Sequence, residues 1–134
     1  MARNLARLSP DVALVAHLFY YIKQMSQREE PLGPLEHIVL LAVMRLGEEA
    51  YGVAVRREIE STIGRDVSVG AAYATLVRLE SKGFVRSSEG EATAERGGRA
   101  KRYFRVTADG KAAVRNTREI IEKMSAGLKG MGAT

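Results

Sequence analysis

The sequence predicts a mainly α fold carrying one small β-hairpin, with an extra helix in front of the domain and a long helix behind it. Three observations carry this. Apolar residues recur at steps of three or four over most of the chain, as amphipathic helices require. Serine, threonine, proline and glycine stand where such helices would begin and end. Only residues 84–107 show the alternation and the aromatic and β-branched content of strands.

Composition bounds the function. With 134 residues there is room for one domain and its extensions. The 21 Lys and Arg against 16 Asp and Glu leave a net charge of +5, compatible with an anionic partner without demanding one. The chain has no cysteine, which excludes disulfides, thiolate metal sites and thiol nucleophiles. His17 and His37 lie in unrelated apolar segments with no carboxylate at ligand spacing, so neither a metal nor a cofactor is expected. No stretch approaches the about 20 apolar residues of a membrane span, and no signal-peptide pattern opens the chain. A soluble cytoplasmic protein that makes no membrane contact is the expectation.

Residues 1–30 read as an N-terminal helical extension. Arg3 and Arg7 make its first residues basic, and Ser9-Pro10 opens the helix, serine as cap and proline at the first helical position. Val12, Val15, Leu18, Phe19, Ile22 and Met25 form its apolar stripe, flanked by Tyr20 and Tyr21, and it ends before Pro31. Its polar face carries too little positive charge for a membrane anchor. Packing against the body or a second subunit is expected instead.

Residues 31–107 hold the central domain. A helix from Gly33-Pro34 to Leu46 is apolar around most of its circumference (Leu35, Ile38, Val39, Leu41, Ala42, Leu46) and must be central. Gly47 closes it. A helix over Tyr51–Ile63 turns Val55, Ile59 and Ile63 inward and stops at Gly64. The short link to Ser68 forces the next helix to cross this one.

That next helix, Ser68 to Gly83, is the centre of the reading. Val69, Ala72, Leu76 and Leu79 are expected on its buried face. The other side is a stripe of small or polar residues, Gly70, Ala71, Ala74, Thr75 and Arg78, with Val77 beside it and Tyr73 at the border. A face without long charged side chains can lie close against another surface, and a DNA major groove admits a helix. Burial of both faces inside the domain explains the same stripe, and on this helix alone the two readings stand level.

Phe84 to Ser87 and Lys101 to Thr107 read as short strands, the second with Phe104 and Val106 on one face and Tyr103 and Arg105 on the other. The stretch between them has glycines and no large apolar residue, and reads as an exposed loop. Its charges are segregated: Glu89, Glu91 and Glu95 come first, then Arg96, Arg99, Lys101, Arg102 and Arg105 with no acid among them. Helix, turn, helix and hairpin together make a winged helix-turn-helix. The cationic arm beside a groove-compatible helix favours DNA contact over a solvated charge run.

Residues 108–134 read as a C-terminal dimerisation helix and tail. Thr107 caps the helix, Asp109 complements its N-terminus, and Val114, Thr117, Ile121, Met124 and Leu128 follow coiled-coil spacing. Packing back on its own domain is the other use of that stripe. Gly127, Gly130 and Gly132 end it.

Over residues 33 to 125 the sequence resembles the PadR family of bacterial transcriptional regulators. The resemblance rests on Tyr51-Gly52, then Tyr73, Leu76, Arg78, Leu79, Glu80, Gly83 and Phe84-Val85, then Gly97-Gly98-Arg99, Lys101-Arg102-Tyr103-Phe104, Val106-Thr107 and Gly110. It implies a homodimer that binds double-stranded DNA at a palindromic operator, usually as a repressor. By position, Tyr51 would contact phosphate and the helix capped by Ser68 would put Gly70, Ala71, Tyr73, Ala74, Thr75 and Arg78 in the major groove. Arg96, Arg99, Lys101 and Arg102 would form the wing. Ala71-Ala72-Tyr73-Ala74 replaces a common Thr-Leu-Tyr-Pro, so the threonine and proline contacts are absent. The family also admits release by a small aromatic or apolar effector, with Phe19, Tyr20, Tyr21 and Tyr103 as aromatics able to line a pocket; no ligand is assigned. A winged helix used as a protein-binding adaptor is the alternative, disfavoured by five basic residues on one arm. Ser61, Ser68, Ser81 and His37 sit in no catalytic motif, so no enzyme is expected.

Overall fold

A computed structural model describes residues 9–92 and 100–130. The chain divides into two units, Met1–Glu30 and Pro31–Thr134. The first contains helix α1, Pro10–Glu29, opened by proline as expected. The backbone N–H of Ala13 bonds the Ser9 carbonyl at 3.0 Å. The stripe residues Val12, Val15, Leu18, Phe19 and Ile22 are exposed.

The second unit is built on α2, Pro34–Leu46. Its Val39, Leu40, Ala42 and Val43 are buried against Val55 and Ile59, Ala72, Leu76 and Leu79, the hairpin residues Phe84, Val85 and Phe104, and Ala113 and Val114. Complete burial of a leucine such as Leu40 stabilises by about 1.5–3 kcal/mol. A single turn of 3-10 helix, Gly47–Glu49, follows.

Helix α3 spans Gly52–Ile63, with Tyr51 as its capping residue rather than its first turn. Ile63 is exposed and not inward, because the helix ends at Gly64, whose left-handed backbone (φ 68°) turns the chain toward α4. Helix α4 is Val69–Ser81, and the Ser68 hydroxyl accepts from the Ala71 N–H at 3.0 Å. Its other end is a Schellman closure: Phe84 N–H bonds the Leu79 carbonyl at 2.9 Å, Gly83 N–H bonds the Glu80 carbonyl at 3.0 Å, and Gly83 takes φ 81°.

The buried face of α4 differs from expectation by one position. Ala72, Thr75, Leu76 and Leu79 are inward, whereas Val69 is exposed. Thr75 can be buried because its hydroxyl donates to the Ala71 carbonyl at 2.8 Å, leaving no unmet polar atom. Expected on the outer stripe, Thr75 is thereby withdrawn from it.

Strands β1 (Val85–Ala92) and β2 (Ala100–Val106) pair antiparallel, Val85 opposite Val106 and Glu89 opposite Arg102, with an irregularity between Glu89 and Ala92. The first strand thus runs well past Ser87, into the stretch expected as loop. Arg96 and Arg99 lie outside the described residues. Phe104 N–H bonds the Ala50 carbonyl at 2.8 Å and Tyr51 bridges Tyr103, so the turn before α3 acts as a one-rung third strand.

Helix α5, Ala108–Ser125, begins as expected, with the Thr107 hydroxyl accepting from Gly110 N–H at 3.1 Å. That hydroxyl also donates to the Gly83 carbonyl at 2.7 Å, which joins the end of α4 to the start of α5. The expected dimer stripe divides. Val114 and Thr117 are buried in their own domain, which corrects their assignment to an intersubunit seam. Ile121 and Met124 are exposed on the last turns, and Leu128 is exposed beyond the helix end. Among the described residues no helix is long and apolar enough to cross a membrane.

Candidate nucleic-acid interface

The outward face of α4 carries Gly70, Tyr73, Ala74, Val77 and Arg78, all exposed, with Ala71 half-buried at its edge. A Cβ built on Gly70 would meet nothing within 4 Å, so glycine there leaves open space against the helix backbone rather than serving internal packing. Arg78 forms no salt bridge among the described residues. An exposed, uncompensated guanidinium on a helix otherwise lined by small residues can reach a phosphate or the O6 and N7 of guanine.

Tyr73 is held rather than loose. Its ring meets Phe104 edge-on, with centroids 6.2 Å apart, and its Cδ2 lies 3.7 Å from where a Cβ on Gly52 would stand. The start of α3 and the second strand therefore bracket the ring, and its hydroxyl lies 3.4 Å from Arg102 Nη1.

At the root of the wing the charges are partly compensated. Arg102 pairs with Glu80 at 2.8 Å, so it presents less positive charge than an arm of free cations would. The Glu80 carboxyl is held below the ordinary range, first by the hydrogen bond from Ser87 and further by the Arg102 charge. Arg105 lies 3.7 Å from Glu48, both widely exposed, a pair worth at most about 1 kcal/mol. Lys101 Nζ sits 4.2 Å from the centroid of the Tyr51 ring, and Tyr51 meets Tyr103 edge-on at 5.7 Å. Tyr51 and Lys101 are thus joined, as a cation over an aromatic face.

Tyr103 itself covers Gly90, where a Cβ would overlap its ring. Glycine in β1 lets this ring lie flat along the hairpin. Tyr103 therefore packs within the wing, between Gly90 and the Tyr51 ring.

The structure pairs Tyr51 with Lys101 and Tyr73 with Arg102, the two pairs on opposite faces of β2, and leaves Ser68, Gly70, Ala74 and Arg78 along α4 and its cap. Glu80 and Ser87 were not expected at the site. Ser87 and Arg102 are diagonal neighbours across the hairpin, since Ser87 opposes Phe104 and Glu89 opposes Arg102. That register has no local signature in either strand.

Residues 40–116 match the model of the Transcriptional regulator PadR-like family. Among solved structures, hsRosR is 28% identical with a TM-score of 0.56, the match covering 76% of this chain and 81% of that one. A PadR-like transcription factor from Bacteroides fragilis is 20% identical with a TM-score of 0.59, over 78% of this chain and 92% of that one. BpsR of Bordetella bronchiseptica, whose DNA binding is regulated by 6-hydroxynicotinic acid, is 20% identical with a TM-score of 0.52, over 87% of this chain and 88% of that one. The last two are similar in fold. No curated protein matches the chain.

Proposed function

The chain belongs to the PadR-like family of transcriptional regulators, and from that premise we propose that it is a repressor that binds a palindromic operator as a homodimer. One observation carries the reading: α4 presents Gly70, Tyr73, Ala74 and the unpaired Arg78 to solvent directly beside the root of the wing. In this proposal α4 enters the major groove, Arg78 reads a base edge or holds phosphate, and Tyr51 and Lys101 hold the backbone. Ser68 opens the helix, so its free N–H groups add a favourable pole for phosphate.

The second copy is placed through α5. Ile121 and Met124 are large apolar residues exposed on its last turns, and Val114 and Thr117 anchor the same helix to the domain. A rigidly held helix with an apolar outer end suits a two-fold contact. Two copies of α4 would then meet successive major grooves about 34 Å apart. Release by a small aromatic or apolar effector belongs to the same proposal, with BpsR as the precedent in fold.

Selection of duplexes from a random library, repeated at low and high salt, tests the reading. A palindromic site with half-sites about one helical turn apart supports it. Recovery of no preferred sequence leaves the protein-binding adaptor as the better account. Adding 6-hydroxynicotinic acid and simple phenols to the shift assay tests release.

A further inference from the structure

Four side chains from three elements close a network at the root of the wing. Glu80, in the last turn of α4, accepts through Oε1 from Arg102 Nη2 at 2.8 Å and through Oε2 from the Ser87 hydroxyl. Arg102 Nη2 also donates to Ser87 Oγ at 2.9 Å, and Arg102 Nη1 donates to the Tyr73 phenol oxygen at 3.4 Å. Ser87 gives its one proton to Glu80 and so receives Arg102 on its oxygen. The guanidinium is thereby fixed from two sides, and Phe104 lies under it at 5.8 Å.

The protons decide what this arrangement can do. Arginine has donors only, so at Tyr73 the phenol oxygen must be the acceptor and its own proton points elsewhere. Among the described residues no acceptor takes that proton. The tyrosine is 40% exposed and stands on the outward face of α4. A phenol whose oxygen is loaded by a guanidinium donates more strongly than a free one. Its fitting acceptor is an anionic oxygen.

We propose that Tyr73 is a phosphate-binding hydroxyl polarised by Arg102, and that Glu80 is a positioning residue that, with Ser87, holds Arg102 against it. The inference rests on the DNA-binding reading and deepens it. Arg102, compensated by Glu80, acts through Tyr73 instead of adding a phosphate contact of its own. The role predicts a sign opposite to simple charge repulsion. Glu80 is an anion close to the surface that would meet a polyanion, so removing its charge should tighten DNA binding if the network were only a brace. If Glu80 positions the donor, removing its charge weakens binding.

The test uses the full chain and an about 30-base-pair duplex recovered by the parent protein from a random library, with affinities measured by fluorescence anisotropy across a salt series and thermal melting as the check on folding. Tyr73→Phe is expected to weaken binding about tenfold, the worth of one charge-assisted hydrogen bond, with an unchanged salt slope because no cation is lost. Glu80→Gln is expected to weaken it about fivefold, and the double variant to bind no worse than Tyr73→Phe alone, since both act through one hydrogen bond. Binding by Glu80→Gln that equals or exceeds the parent's overturns the proposal, as does a double variant whose loss is the product of the two. If Glu80→Gln does not fold, Arg102→Lys decides: it keeps the charge but cannot bridge Glu80, Ser87 and Tyr73 together. A several-fold loss at unchanged slope supports the proposal, and parental affinity refutes it. A parent protein that recovers no duplex defeats the DNA-binding reading itself, and this inference with it.

Discussion

The backbone N–H of Leu32 donates to the hydroxyl of Thr117 at 2.9 Å, and that hydroxyl donates in turn to the Ala113 carbonyl at 2.8 Å. One threonine thus fastens the entry to the central domain onto its last helix, from a position with 1% of its surface exposed. Thr117→Val keeps the shape but strands the Leu32 donor. It should lower stability by about 1–3 kcal/mol, read as a shift in urea midpoint at unchanged m-value. Solution mass should not change, because the side chain faces its own domain.

Two glycines separate stability from binding. Gly110 is buried, and a Cβ there would overlap the Phe84 carbonyl oxygen and press on Val106 Cγ1. Gly110→Ala should therefore cost about 1–3 kcal/mol despite alanine's better helix propensity. At Gly70 nothing obstructs a Cβ, so Gly70→Ala should raise stability by about 0.5–1 kcal/mol. If α4 lies against the groove floor, the same methyl group weakens DNA binding. Melting curves and shift assays on the two variants would show the opposed signs.

Arg78→Ala should cost about 1–3 kcal/mol of binding if the guanidinium grips guanine, with discrimination lost at one base pair of each half-site. A loss spread evenly over all sequences would mark a phosphate contact instead. Competition with single-base variants of the selected duplex separates the two.

The apolar end of α5 can be tested by charge. Ile121 and Met124 are 52% and 77% exposed, so Ile121→Glu should leave the fold of the single chain intact. In the proposed dimer it buries an unpaired carboxylate. Sedimentation should then show the mass falling to that of one chain, together with weaker operator binding.

Among the described residues two carboxylates are held below their ordinary range, Glu58 by its hydrogen bond from Arg45 and Glu80 by that from Ser87, and acid should act through them. Because both folded values are depressed, their contribution is complete above the unfolded value of about 4.3 and is lost as pH falls through the folded one. The urea midpoint of the parent should fall across that acid window more steeply than that of Glu80→Gln. Equal slopes would remove Glu80 from the account.

Sequence by itself determined the elements and their order. Pro10 and Pro34 start helices, Ser68 and Thr107 cap them with hydroxyls that accept from Ala71 and Gly110, and Gly64 and Gly83 end them in left-handed backbone. These signals are local: each concerns a backbone group satisfied, or a φ angle permitted, within a few residues. The tertiary structure alone decided which polar residues go inside and which charges meet. Apolar periodicity sets Thr75 on the outer stripe and Thr117 on an intersubunit seam, yet each returns its hydroxyl to the carbonyl four residues back and is buried like valine in its own domain. Ser87 and Arg102 become neighbours of Glu80 only through the register of the hairpin and its packing beside α4. Such contacts between distant positions depend on the assembled core, and no stretch of the chain encodes them on its own.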